Sequence, residues 1–302
     1  MNIISIKNLE FCYPHGKQIL NGVTMNVKKN SIYGFIGANG AGKSTTIRVI
    51  LGLLKSKMDA VHLFDKNPFS SKNSNIFKKI GFLIDKPVFY NHLTCEENLI
   101  LLSNYYDFDK NSIKVALSTV GLLAQKKMIF HKCSTGMKQR LAIAKAIVHS
   151  PEVLILDEPF NGLDPEWTFE IRSRLKELNN QGMTIFYSSH LLGEMEKLVT
   201  DIGILKNGKI IIEAPITELF DAVTDIEVYI QFDTDFHLQS INFNSLDISI
   251  FEILPNNFVS FRIKNKNLLN ELIVTLVEHN YTIKDIQILK PTLEDYFLKK
   301  AI

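Results

Sequence analysis

Gly37-Ala-Asn-Gly-Ala-Gly-Lys-Ser-Thr45 fits the pattern G-x-x-x-x-G-K-[ST] and adds a second hydroxyl residue at its end. Ser31-Ile-Tyr-Gly-Phe-Ile36, just before it, is the short apolar run that a buried parallel strand uses. Beyond it, Ile47, Ile50, Leu51 and Leu54 recur at i, i+3, i+4 and i+7, which is one face of a helix. Strand, glycine-rich loop and helix thus come in the order that phosphate binding needs. The glycines let backbone N–H groups close around phosphate oxygens at the positive end of the helix. Gly37, Asn39, Gly40, Ala41, Gly42, Lys43, Ser44 and Thr45 are therefore predicted to cradle the phosphates of a nucleotide. Lys43 is expected to reach the β- and γ-phosphates, and Ser44 to offer its hydroxyl to Mg²⁺.

The rest of the chain sets bounds on what such a loop can serve. At 302 residues there is room for one large α/β domain plus a smaller one, or for two domains of similar size. Lys and Arg number 34 against 32 Asp and Glu, a net charge of +2, and lysine pairs such as Lys28-Lys29 and Lys126-Lys127 are scattered. A dedicated nucleic-acid face is not expected from this balance. The three cysteines, Cys12, Cys95 and Cys133, are widely spaced and form no C-x-x-C pair. They read as reduced thiols of a cytosolic protein, with no zinc site or disulfide frame. No N-terminal signal segment is visible, and no apolar stretch reaches the roughly 18 residues of a membrane span. Attachment to a membrane is expected to run through a partner.

Taken in order, Ile3–Leu9 alternates apolar and polar residues as a half-exposed strand does. The turn at Phe11–Gly16 is expected to expose Tyr13, which leaves two readings open, a platform for a base or plain packing. Strands are predicted near Ile19–Val27, Ala60–Phe64 and Ile80–Ile84, the last closed by Asp85-Lys86-Pro87. From Asn91 to roughly Val120 helical periodicity prevails, and Thr94-Cys-Glu-Glu97 has the form of a capping box. Lys132–Arg140 opens a further helix, with Ser134 and Gly136 at its N-terminus. Free N–H groups and the helix dipole make that terminus a second anion-binding candidate, although taken alone it is an ordinary N-cap.

Val153-Leu-Ile-Leu156 is a buried strand that runs into Asp157-Glu158. Carboxylates at the C-terminal edge of a parallel sheet lie where ligands bind in such folds, and they are costly there unless a cation offsets them. Asp157 suits a Mg²⁺ ligand and Glu158 the base that polarises an attacking water. A turn at Asn161-Gly-Leu-Asp164 precedes a helix to about Asn180. The strand Thr184–Ser188 then delivers His190 to the same edge, where a γ-phosphate contact is expected. Asn207-Gly208 marks a hairpin within Asp201–Ile212.

Together these motifs resemble the nucleotide-binding subunit of ATP-binding cassette (ABC) transporters, over about Met1–Thr217. Tyr13 matches the family's adenine-stacking aromatic, Gly37–Thr45 its Walker A loop and Ser134–Lys138 its signature. Val153–Glu158 matches Walker B with the catalytic glutamate, Asn161–Asp164 the D-loop and His190 the switch histidine. The resemblance implies ATP and Mg²⁺ as ligands, a head-to-tail dimer of cassettes, and an integral-membrane permease as partner. It also implies a place on the cytoplasmic face of the membrane. The signature departs from the family pattern at Thr135 and Met137, with the capping serine and Gly136 kept. Asp85 stands where the family has its coupling glutamine, and this is similar to the glutamate variant of bacitracin-resistance and lantibiotic-immunity exporters, one methylene shorter. By that likeness Asp85 joins the nucleotide and metal candidates.

Residues 218–302 have a different texture, and a small α+β domain is expected. Ile226, Val228, Ile230 and Phe232 alternate on one strand face, Phe258–Ile263 and Ile283–Leu289 are further strands, and Leu268–Val277 has helical spacing. A last helix is expected from Pro291-Thr292, with Asp295 in capping position. The fold expected overall is a P-loop NTPase of the ABC cassette type, with a mixed sheet and a helical insert at about 91–150, followed by this domain. The expected function is ATP hydrolysis that powers a permease, with export of a peptide antibiotic or similar amphipathic compound. The alternatives are an ABC ATPase that acts on nucleic acid or ribosomes, and an ATP-dependent switch with little turnover. Against the first stand one cassette and no sustained heptads; against the second, Lys43, Asp157, Glu158 and His190 together.

Overall fold

Apolar runs without polar alternation need cover on both faces, and three such runs form the middle of one large sheet. The computed structural model describes residues 1–14, 16–56, 59–84, 88–221, 226–233, 248–264, 267–289 and 292–294. It divides into two compact units, Met1–Pro215 and Ile216–Ile302.

In the first unit β1 (Asn2–Cys12) and β2 (Gln18–Lys28) make an antiparallel hairpin, followed by β3 (Ile32–Ile36) and α1 (Lys43–Ile50). Next come β4 (Val61–Leu63), a 3-10 helix (Ser71–Lys79) and β5 (Ile80–Leu83). Four helices follow: α2 (Cys95–Ile100), α3 (Ser103–Tyr106), α4 (Lys110–Thr119) and α5 (Thr135–Ile147). The chain then returns to strands, as β6 (Val153–Asp157), α6 (Pro165–Asn180), β7 (Thr184–Ser189), α7 (Leu192–Glu196), β8 (Asp201–Lys206) and β9 (Lys209–Pro215). Six strands form the large sheet in the order β5-β6-β7-β3-β8-β9, parallel except for the β8–β9 hairpin. β2, β1 and β4 form a small antiparallel sheet.

Every residue of β3 and β7 is buried, as the unbroken apolar runs require. Their aromatic rings fill the centre, with Tyr33 stacked on Phe186 at 5.6 Å and Phe35 at 5.3 Å from the same ring. α1 packs on β2 and β4 of the small sheet and on β6 of the large one, so Ile47, Val49 and Ile50 share a core with Met25, Val61 and Ile155. The helix that follows the phosphate loop is thus gripped by both sheets. Gly81 lets α5 reach β5, since a Cβ there would lie 1.8 Å from the Ala146 carbonyl oxygen.

The insert is held by side-chain caps. Thr94 accepts from the Glu97 N–H and Glu97 answers with its carboxylate, the complete capping box. Asp109 and Ser134 cap α4 and α5, and Asp164 caps α6 beyond the insert, each by accepting one backbone N–H, a contribution of about 1 kcal/mol apiece. The polar stretch before Lys79 is the 3-10 helix, anchored by the buried Ile76. The helical periodicity after Asn91 breaks into three short helices, and the second break, between α3 and α4, falls where Asp107 adopts a left-handed conformation (φ 55°).

Cys95 and Cys133 are buried with their sulfurs 3.7 Å apart, and burial pushes the Cys95 thiol up to about 12, whereas Cys12 is exposed. The thiolate is the nucleophile, so folding should govern reactivity. Iodoacetamide at pH 8 is expected to alkylate Cys12 in the native protein and all three cysteines in denaturant, read by peptide mass. Native-state alkylation of Cys95 would contradict this packing.

In the second unit α8 (Ile216–Asp221) precedes an antiparallel sheet of β10 (Ile226–Phe232), β11 (Ile248–Leu254), β12 (Phe258–Ile263) and β13 (Ile283–Leu289), crossed by α9 (Asn267–Glu278). The order is β11-β12-β10-β13. Val228, Ile230 and Phe232 point to the same side as Val259, Phe261 and Ile263, and meet Leu272 and Leu276 of α9 in a separate core. β11 was not anticipated from the sequence. The capping contact expected at Pro291 and Asp295 lies outside the described residues.

Candidate functional site

Strand order decides which residues meet. Because β3 lies beside β7, and β7 beside β6, the ends of these three strands are neighbours: Ile36 stands opposite Ser189, and Asp157 opposite Ser188. The loop after β3 and the carboxylates after β6 therefore converge, though more than a hundred residues separate them in the chain.

Gly42 caps α1 with φ 111°, a conformation that leaves glycine the only relaxed choice, and a Cβ there would also lie 2.7 Å from Leu20. Gly40 is left-handed too, with nothing within 4 Å of where its Cβ would be. The loop backbone is thus open on the side where an anion can approach the first N–H groups of α1. Lys43 is 7% exposed, and its ammonium donates to the Gly37 carbonyl at 2.6 Å. The Ser44 hydroxyl donates to Asp157 Oδ2 at 2.7 Å, and the Ser188 hydroxyl donates to the other oxygen of that carboxylate.

Glu158 is the first residue past β6, and its left-handed φ of 48° costs on the order of 1–3 kcal/mol in a non-glycine residue. Its N–H donates to the Ser188 carbonyl at 3.2 Å. Its carboxylate lies 2.9 and 3.0 Å from His190 Nδ1 and 3.7 Å from Lys43 Nζ. An accepting carboxylate fixes the proton of the neutral imidazole on Nδ1. A cleft of about 440 Å³ opens beside Glu158, bounded by Phe160, Asn161, Ser189 and Arg172, so water has a path to this carboxylate.

Lys43, Ser44, Asp157, Glu158 and His190, all named from sequence, thus form one connected group. Ser188 belongs to it as well and was missed; its signal was a hydroxyl at the end of the strand next to the Asp157 strand. Tyr13 needs a correction, being half-buried instead of exposed: its ring meets Phe11 edge-on at 5.0 Å and its hydroxyl lies 3.4 Å from Thr45 Oγ1. It borders the phosphate loop with its ring already packed on one side. Ser134 is exposed and spends its hydroxyl on the Met137 N–H, while Gly136 faces the Gly162 carbonyl. Among the described residues no hydrogen bond or ion pair links Ser134 or Gly136 to the phosphate loop. Asp85 lies outside the described residues.

A hydroxyl and a carboxylate aimed at each other, Ser44 and Asp157, are a donor set suited to Mg²⁺, a hard cation that keeps several waters and takes few protein oxygens. The nine-residue loop at the N-terminus of α1 suits a polyphosphate.

Comparison with known proteins agrees in kind. The family model described as "ABC transporter" matches residues 20–161. The chain is similar to the bacitracin transport ATP-binding protein BcrA of Bacillus licheniformis, 37% identical over 97% of this chain and 96% of that protein. It is also similar to the lantibiotic transport ATP-binding protein SrtF of Streptococcus pyogenes, at 40% identity over 70% of this chain and 90% of that one. Among solved structures, the dimeric bacterial ABC transporter cassette MJ0796 aligns with a TM-score of 0.65 at 25% identity, over 70% of this chain and 98% of that one.

Proposed function

The chain belongs to the ABC transporter ATP-binding family and is an ATPase of that kind, and from this premise we propose that it powers an integral-membrane permease exporting a peptide antibiotic or similar amphipathic compound. The observation that carries the reading is Glu158, held by His190 and Lys43 beside the Ser44–Asp157 pair. Lys43 would bind the β- and γ-phosphates, and the N–H groups of residues 40–45 the remaining oxygens. Ser44 and Asp157 would hold Mg²⁺, which when bound neutralises charge on the phosphates. Glu158 would accept a proton from the attacking water, with the His190 Nδ1–H fixing the orientation of its carboxylate.

Two further parts of the reading rest on relatives. The bacitracin and lantibiotic transport proteins support the cargo class, and the dimeric cassette supports a second copy whose Ser134 and Gly136 would complete the phosphate site. No helix among the described residues is long and apolar enough to cross a membrane, so the permease would hold this subunit at the cytoplasmic face. In membrane vesicles containing the permease that co-purifies with this subunit, ATP is expected to drive accumulation of a labelled bacitracin-class peptide. The Glu158→Gln subunit should abolish that accumulation. Equal accumulation with both subunits would overturn the reading.

A further inference from the structure

The helix that begins at Ser134 and the turn at Asn161–Asp164 belong to different parts of the first unit, and a buried cation joins them. Arg140, in the second turn of α5, is 8% exposed. The centre of its guanidinium lies 3.6 Å from the centre of the Trp167 ring, in the first turn of α6. One terminal nitrogen donates to the Val120 and Gly121 carbonyls at the end of α4, at 3.3 and 3.2 Å. Gly121 is left-handed at φ 65°, and a Cβ there would strike the indole at 2.2 Å, so the backbone of α4's end lies directly on Trp167. Three helices therefore meet on one ring.

A guanidinium this buried is usually paired with a carboxylate, and among the described residues Arg140 forms no ion pair within 4 Å. Its direct contacts are carbonyl oxygens at a helix C-terminus and the π face of an indole, both favourable to a cation, and the Asp164 carboxylate supports its charge from beyond 4 Å. Trp167 in turn is tied to the turn before it, since its backbone N–H donates to Asp164 Oδ1 at 2.8 Å. Two lesser ties run parallel: Gln139 donates to the Pro159 carbonyl at 2.9 Å, and Gly136 faces the Gly162 carbonyl. Pro159 follows Glu158 directly, so movement of α5 reaches the catalytic carboxylate by a short path.

We propose that Arg140 and Trp167 are positioning residues, a stacked joint by which the helix carrying Ser134 and Gly136 sets the turn Asn161–Asp164 and, through it, Glu158. This rests on the reading that Ser134 and Gly136 engage nucleotide across a dimer. Nucleotide drawn onto the start of α5 then shifts Arg140, the indole follows its cation, and the turn moves with the first residues of α6. Lysine cannot replace this contact, because an ammonium lacks the planar face that lies on the ring.

Trp167 is the only tryptophan in the chain, so indole emission reports on this joint alone. In the full-length Glu158→Gln protein, Mg-ATP is expected to change the emission, and adding Ser134→Arg should remove the change while bound ATP, measured by equilibrium dialysis, persists. Unchanged emission on ATP addition, or a response that survives Ser134→Arg, overturns the joint. With Glu158 intact, Trp167→Leu and Arg140→Lys should each lower kcat roughly 3- to 30-fold with KM for ATP within about twofold, and Trp167→Phe should recover most of the rate. A parallel loss of kcat and ATP affinity, or no loss in kcat, counts against it. Normal turnover by Glu158→Gln would instead refute the assignment of the base, a failure read separately from the emission response and from the Trp167 and Arg140 rates.

Discussion

Replacing Glu158 with Gln is expected to lower ATP turnover by about 10² to 10⁴ while leaving ATP bound. The exchange keeps the side chain's length and its ability to accept from the His190 Nδ1–H at 2.9 Å. What it removes is the basic oxygen, together with the negative charge 3.7 Å from Lys43. Since Lys43 would bind the phosphates, loss of that competing charge should leave ATP affinity equal or higher. Phosphate release in the steady state and equilibrium binding of labelled ATP measure the two effects separately. A Glu158→Gln protein that hydrolyses at the parent rate would remove the base from this carboxylate.

The second large effect is expected at Ser134, exposed and remote from its own chain's phosphate loop by every described contact. If it completes the site of a second copy, Ser134→Arg should bind ATP through its own loop and yet fail to hydrolyse it. The same protein mixed with Lys43→Ala makes the test sharp. In the mixed dimer one composite site carries both lesions and the other neither, so each inactive protein should rescue the other. With random pairing and independent sites, an equal mixture should regain about a quarter of the parent rate. No recovery at any ratio would exclude a symmetric head-to-tail pair.

Much of the site was legible because its residue types have few other uses in those positions. Gly42 at φ 111° cannot be replaced without strain, and Asp157-Glu158 at the end of an apolar strand demands a cationic neighbour. Such constraints act locally and survive in a linear pattern. Ser188 carries no comparable demand, since a serine at a strand end satisfies itself in many ways; only the β6–β7 register shows that it faces Asp157. The same holds for Arg140 and Trp167, which become neighbours only after three helices have packed. β11 escaped because a register shift between Ile250 and Glu252 breaks its alternation, and an isolated Ile76 was too little to mark the 3-10 helix.

The central place of β3 has a consequence for how the protein is made. Its partners are Ile185–Ser189 on one side and Asp201–Ile204 on the other, whereas β1 and β2 find each other within a short hairpin. During synthesis at about 5–20 residues per second, the phosphate-binding strand leaves the ribosome about 8–30 s before either partner exists. Throughout that interval Ile32-Tyr-Gly-Phe-Ile36 is an apolar strand with both hydrogen-bonding edges unused, the kind of segment that recruits chaperones or neighbouring chains. The nucleotide pocket can then assemble only after β6 and β7 have been made, so acquiring ATP marks a cassette whose large sheet has formed beside β3.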